Sequence, residues 1–157
     1  MSGILWLASY PKSGNTWMRV FLANLILDEP QPLELKRINE VCSSEPNEVW
    51  FQPLVKTPVR ELSEKRIAAL RTKAQQRAAQ LNTNTVLMKT HSLWGKDHGH
   101  PTISVEASMG VIYILRDPRD VVISAADHYG LSLDQAIEMM GDRKARGRGM
   151  PGNTVHE

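Results

Sequence analysis

Lys12, Ser13, Gly14, Asn15 and Thr16 follow closely on the apolar run from Ile4 to Ala8. A cation, a glycine and three polar side chains at a strand-to-helix turn suit an anion. The free N–H groups and the dipole at a helix N-terminus favour negative charge. Gly14 lets the backbone approach closely. Lys12 adds a full positive charge, and Ser13, Asn15 and Thr16 supply donors. The order is not that of a Walker A loop, because Lys12 precedes the glycine. Taken alone, the stretch reads equally well as a polar turn with Thr16 capping the helix.

Two further groups carry chemistry. Lys89 and His91 are two residues apart at the end of an expected strand, so their side chains share one side. A lysine there neutralises charge, and a neutral histidine can remove a proton. A purely structural histidine at a strand end is the competing reading. Arg116 and Ser124 are the third element. An arginine with a hydroxyl is a common holder of a terminal phosphate. Neighbouring Arg119 and Asp120 fit a local ion pair and helix-start charge instead.

These residues need elements to position them. Residues 3–9 read as an apolar strand of the kind covered on both faces in parallel sheets. Residues 16–27 read as a helix with Trp17, Val20, Phe21, Asn24 and Leu27 on one side, ended by Asp28-Glu29-Pro30. Residues 30–60 are irregular and proline-bearing, with a short helix near 33–41. Trp50 and Phe51 there either cap the core edge or wall a substrate site. Residues 63–81 read as a helix whose Lys65, Arg66, Arg71, Lys73 and Arg77 are assigned to a solvated surface. Strands are expected at 85–90 and 110–115, separated by a loop at 92–104 that holds His98 and His100. Asp117-Pro118 opens a helix to about Tyr129, and Gly130 stops it. Ser132 and Gln135 form a capping box for a last helix ending near Gly141. The alternation predicts an α/β protein with a parallel sheet. In such sheets ligands bind beyond the carboxyl ends of the strands. Lys12, Lys89, His91 and Arg116 all fall there.

At this point the motifs resemble a known family. SYPKSGNTW, residues 9–17, is similar to the 5′-phosphosulfate loop of the cytosolic sulfotransferases. LRDPRDVVIS, residues 115–124, is similar to their 3′-phosphate motif, and Lys89-Thr90-His91 to their Lys-x-His with the catalytic histidine. The resemblance spans residues 3 to about 140. It implies a P-loop-like three-layer α/β fold and 3′-phosphoadenylyl sulfate as donor, with adenosine 3′,5′-bisphosphate as product. By that resemblance Lys12, Ser13, Gly14, Asn15, Thr16 and Trp17 bind the phosphosulfate end. Trp17 also stacks near the adenine, with helix packing as its competing role. Arg116 and Ser124 hold the 3′-phosphate. His91 is the general base, and Lys89 and Lys12 neutralise the transferring and leaving groups. Asn15 stands where many members have threonine. No metal is implied, and the acceptor is a small-molecule hydroxyl or amine whose identity the sequence does not give.

Family members are longer, and their C-terminal half supplies a glycine-rich basic segment over the nucleotide. The expectation is therefore an N-terminal portion: a truncated sulfotransferase-like domain over residues 1–141 and a flexible tail over 142–157. Arg143 to Gly149 (RKARGRG) is assigned to that tail. Donor binding and turnover by so short a chain are expected to be weak. The alternative from another class is a non-catalytic nucleotide- or anion-binding module that retains the loop. A P-loop kinase is disfavoured by the missing Walker A lysine position and magnesium-binding acid. An open sheet is expected to expose apolar surface and favour homo-oligomers.

Composition bounds the rest. A chain of 157 residues can bury one core. The net charge of +2 is too small to argue for nucleic-acid binding. Cys42 is the single cysteine, so no internal disulfide can form, and a buried thiol is expected. No apolar run has the length of a membrane span, and the N-terminus lacks a secretory leader. A cytoplasmic location is the expectation.

Overall fold

The computed structural model describes residues 3–81 and 84–142. The first strand, β1 (Ile4–Ser9), is buried almost throughout, as its unbroken apolar sequence requires. Helix α1 (Asn15–Leu27) follows it. A 3₁₀ turn at Leu35–Glu40 leads into β2 (Cys42–Ser44), then the short helix α2 (Glu48–Phe51). Helix α3 (Glu64–Gln80) precedes β3 (Val86–Thr90). A small hairpin, β4 (Lys96–Asp97) and β5 (His100–Pro101), comes before β6 (Ser108–Ile114). Helices α4 (Pro118–Tyr129) and α5 (Leu133–Gly141) end the described chain.

The main sheet has the order β2-β3-β1-β6, and every pair in it is parallel. The chain is thus an α/β protein whose helices flank a parallel sheet. One sheet face buries Ile4, Trp6 and Met88 against Ala78 and Ala79 of α3 and against Ile103 and Ala107. Alanines on α3 let the helix lie close to the strands. Leu7, which points to the other face, is also fully buried. A satellite cluster joins Phe51, Val59, Ile67, Leu70 and Ala74.

The capping box on α5 forms as its sequence predicts: Ser132 and Gln135 bond reciprocally. Asp117 caps α4 by accepting from the Arg119 N–H, and Gly130 ends that helix with φ 65°. Arg119 also pairs with the Asp117 carboxylate, which is held below its ordinary pKa by this bond.

Several local expectations change. Strand β2 is an additional parallel edge strand inside the segment read as irregular. Its three residues carry too short a pattern to show alternation. Residues 48–51 are helical, and Phe51 is fully buried, so this segment builds core rather than a wall of the main cavity.

Helix α1 begins at Asn15 with Gly14 as N-cap, so Thr16 is not the cap. The inward side of α1 is Asn15, Arg19 and Ala23, while Trp17 and Phe21 are 83% and 61% exposed. Arg19 is drawn in because it donates to the Cys42 carbonyl at 2.6 Å and to Asn39. That bonding outweighs the apolar pattern, which alone would turn the helix the other way.

Arg71, assigned to a solvated surface, is instead 4% exposed, paired with Glu45 and Asp97 from distant segments. The long-range carboxylates leave no trace in the local helix pattern. Cys42 is buried, and burial pushes its thiol pKa up. Among the described residues no helix is long and apolar enough to cross a membrane. The RKARGRG run lies outside the described residues, as does the tail beyond Asp142.

Candidate active site

Parallel pairing brings the carboxyl ends of three strands together. Ala8 lies opposite Thr90, and Ser9 opposite Ile114. Lys12, His91 and Arg116 each follow one of these ends by a few residues.

The loop after β1 is shaped by backbone conformation. Lys12 has φ 66° and Gly14 φ 102°, both left-handed. Gly14 tolerates this, whereas Lys12 holds a conformation that ordinary residues avoid. Strain of this sort persists where the surroundings enforce it, often at ligand sites. The Ser13 N–H donates to the Tyr10 carbonyl at 3.2 Å, closing the turn. No side chain caps α1. Its first-turn N–H groups therefore remain as donors with the helix dipole behind them, which is the environment an anion requires.

Asn15 ties this loop to the strand end. Its Nδ2 donates to the Leu7 carbonyl at 2.9 Å and to Ser9 Oγ at 3.2 Å. The side chain thus turns inward and is 4% exposed, with its Oδ1 lacking a protein partner. Its remaining donor toward a ligand is the backbone N–H. Ser13 is buried too, while Thr16 and Trp17 are exposed on the first turn. Among the described residues Trp17 does not pack into the core.

His91 completes the link. Its Nδ1 lies 2.8 Å from the Ser9 carbonyl and 3.2 Å from Ser9 Oγ. A carbonyl only accepts, so Nδ1 carries the proton and the basic lone pair of the neutral ring sits on Nε2. Asn15, Ser9 and His91 form one hydrogen-bonded chain from the anion loop to the histidine. Ser9 is the residue sequence reading missed. Only the register of β1 against β3 places it beside His91.

Lys12 and His91 line one cavity of about 1570 Å³. Its walls are mainly apolar and aromatic, including Trp6, Tyr10, Trp94, Val111, Tyr113 and Tyr129. Burial raises the Tyr10 pKa, so its phenol stays neutral. Arg116 stands outside this lining; its Nη1 donates to the Lys12 carbonyl at 3.3 Å, and Asp120 lies 3.8 Å from its Nε. The structure therefore joins the Arg116 segment to the Lys12 loop. Ser124 is half-buried one helix turn or more along α4. Lys89 is placed apart from the cavity lining, on the opposite pleat from Thr90, near Cys42 and Glu45. It does not share the cavity with His91, because His91 lies beyond the strand end, where the alternation no longer applies.

Glu45 follows β2 directly. It is 3% exposed, and Arg71 Nε approaches its Oε1 at 3.3 Å. Gln75 and Ser92 donate to the same carboxylate, each at 3.4 Å. Burial pushes its pKa above the ordinary value near 4.5, against the pull of Arg71. Among the described residues no cluster of His, Cys, Asp and Glu could hold a metal ion.

The sulfotransferase domain family matches the chain over residues 3–157, which includes every element and site residue described above. The chain belongs to the sulfotransferase domain family. A search of curated proteins finds no match. Within a sulfotransferase domain, the loop of Lys12 and Gly14, the Ser9–His91 pair and the apolar cavity form a coherent set. One end is a helix N-terminus without a side-chain cap, and the other an apolar-walled cleft beside a histidine.

Proposed function

We propose that this sulfotransferase domain moves a sulfonate from 3′-phosphoadenylyl sulfate to a hydroxyl or amine of a small-molecule acceptor, with His91 as general base. The observation that carries the reading is the position of His91. It lines the same cavity as Lys12, and its Ser9 bond leaves Nε2 as the basic nitrogen.

Lys12 and the N–H groups at the start of α1 would hold the phosphosulfate end. The uncapped terminus and the left-handed Lys12 and Gly14 fit that group. Thr16 adds a hydroxyl on the first turn. Arg116 and Ser124 would hold the 3′-phosphate, and exposed Trp17 offers a ring for the adenine. When bound, the donor supplies an activated sulfonate on a phosphate leaving group. The acceptor oxygen or nitrogen forms the new bond to sulfur as the bond to the leaving phosphate oxygen breaks. His91 takes the acceptor proton at Nε2. Lys12 stabilises the negative charge that grows on the departing phosphate. The apolar walls favour an apolar acceptor.

The test is titration calorimetry with adenosine 3′,5′-bisphosphate, then donor-dependent sulfonation of a phenol panel. Binding lost in Lys12→Ala and Arg116→Ala is the expected result. His91→Ala should keep bisphosphate affinity and lose turnover by about 10²- to 10⁴-fold, the usual contribution of a positioned general base. Unchanged bisphosphate affinity in Arg116→Ala would remove the 3′-phosphate assignment. Unchanged turnover in His91→Ala would remove the base.

A further inference from the structure

Leu93 and Trp94 line the cavity directly after His91-Ser92, yet they are 83% and 71% exposed. Large apolar side chains so open need something to hold them in place. The hairpin β4–β5 that follows them is a tight two-residue reversal. His98 and Gly99 both have positive φ, 48° and 81°, the pattern of a primed turn. Two sets of bonds fix this unit to the body. Thr102 bridges its base, donating its N–H to the Gly95 carbonyl and its hydroxyl to the Leu93 carbonyl. Arg71 reaches from α3, with Nη1 and Nη2 at 3.2 Å and 3.3 Å from Asp97 Oδ2.

We infer that Arg71 and Asp97 are positioning residues that fix Leu93 and Trp94 as the acceptor-selecting wall of the cavity. The Arg71 guanidinium stands between Glu45 and Asp97, 26 residues from each in sequence. Glu45 is anchored to the strand end that carries His91, because its N–H donates to the Lys89 carbonyl at 2.9 Å and its carboxylate accepts from Ser92. One buried cation therefore joins the base of the histidine-bearing segment to the hairpin that follows Leu93 and Trp94. Arg71 bonds Asp97 through both terminal nitrogens, so the contact sets the shape of the wall. Arginine suits this place because its planar fork meets two partners in fixed directions. Selection then works by size: a bulky apolar acceptor needs the wall in place, and a small one does not. Selectivity for the acceptor in turnover rests on the sulfotransferase reading given above, whereas the wall itself can be tested without turnover.

The experiment uses 2-naphthol and phenol as large and small probes. Binding to the full chain is followed by tryptophan fluorescence without donor, and KM and kcat are then measured with donor. Asp97→Ala should weaken 2-naphthol binding about tenfold, the scale of a lost charge-assisted contact. Phenol and adenosine 3′,5′-bisphosphate should bind as in the wild type. In turnover the change should appear in KM for 2-naphthol with kcat retained. Trp94→Ala should show the same selectivity. Asp97→Asn keeps an acceptor oxygen for Arg71 and should fall between wild type and Asp97→Ala; it decides the matter if the alanine variant does not fold. Equal loss for both probes and the bisphosphate, or no loss for 2-naphthol, would overturn the inference. If wild type binds 2-naphthol but turns over nothing, the functional reading fails while the wall is still tested by binding.

Discussion

At the scale of single residues, buried polar groups decide the site. Asn15 lies off the cavity lining, and Ser9 lines it while bonded to Asn15 and His91. They hold the loop and the histidine in one frame. Glu45 is the most consequential titrating group, because burial raises its pKa. A carboxyl whose folded pKa lies above its unfolded value binds a proton more readily in the folded state. Its contribution to stability is full below the unfolded value near 4.5 and is lost as pH rises through the folded value. Glu45→Gln removes this dependence. The attraction to Arg71 opposes this shift without reversing it, so the sign is read from the slope. The difference in Tm, wild type minus variant, should fall as pH is raised from 4.5 toward neutrality. A flat difference would show that Glu45 titrates normally. Asp117 has the opposite sense: its lowered pKa makes its contribution fade as pH falls through the folded value.

At the scale of elements, caps and turns set where helices begin. Gly14 and Gly130 end or start helices in left-handed conformations that only glycine adopts easily. Helix α1 leaves its N-terminus without a side-chain cap, whereas α3, α4 and α5 are capped by Ser63, Asp117 and Ser132. The contrast agrees with a ligand role for the first of these termini. Helix α5 supplies Gln135, Glu138 and Met139 to the cavity lining, so its cap has a bearing beyond local stability. Ser132→Ala should lower stability by about 1 kcal/mol, the usual cost of losing an N-cap. Urea unfolding measures it, and a loss below a few tenths would mean that packing alone holds α5.

At the scale of the whole molecule, β2 and β6 are the two edges of the sheet among the described residues. Among the described residues β6 pairs only with β1, and its Met109, Val111, Ile112 and Tyr113 are exposed. Val111 and Tyr113 line the cavity, while Ile112 lies on the opposite pleat. An open parallel edge with apolar neighbours is a template for pairing between chains. Sedimentation velocity should show concentration-dependent association, reduced by Ile112→Lys, which places a charge on the exposed pleat. A monomer at all concentrations would show that the edge is protected by other means.

The sequence by itself determined the α/β class, the three strand ends that carry Lys12, His91 and Arg116, and the capping box at Ser132. These depend on local features: apolar runs, turn residues and short spacings. The tertiary structure decided what local patterns do not encode. It turned α1 so that Arg19 faces in and Trp17 faces out, because the Cys42 carbonyl needed a donor. It buried Arg71, because Glu45 and Asp97 arrive from segments far away in the chain. It separated Lys89 from His91, because the strand ends between them. It also gave His91 its tautomer, since the Ser9 carbonyl that fixes it is brought there only by the pairing of β1 with β3. Hydrogen bonds between distant segments have no period in a sequence, and they are what orients this site.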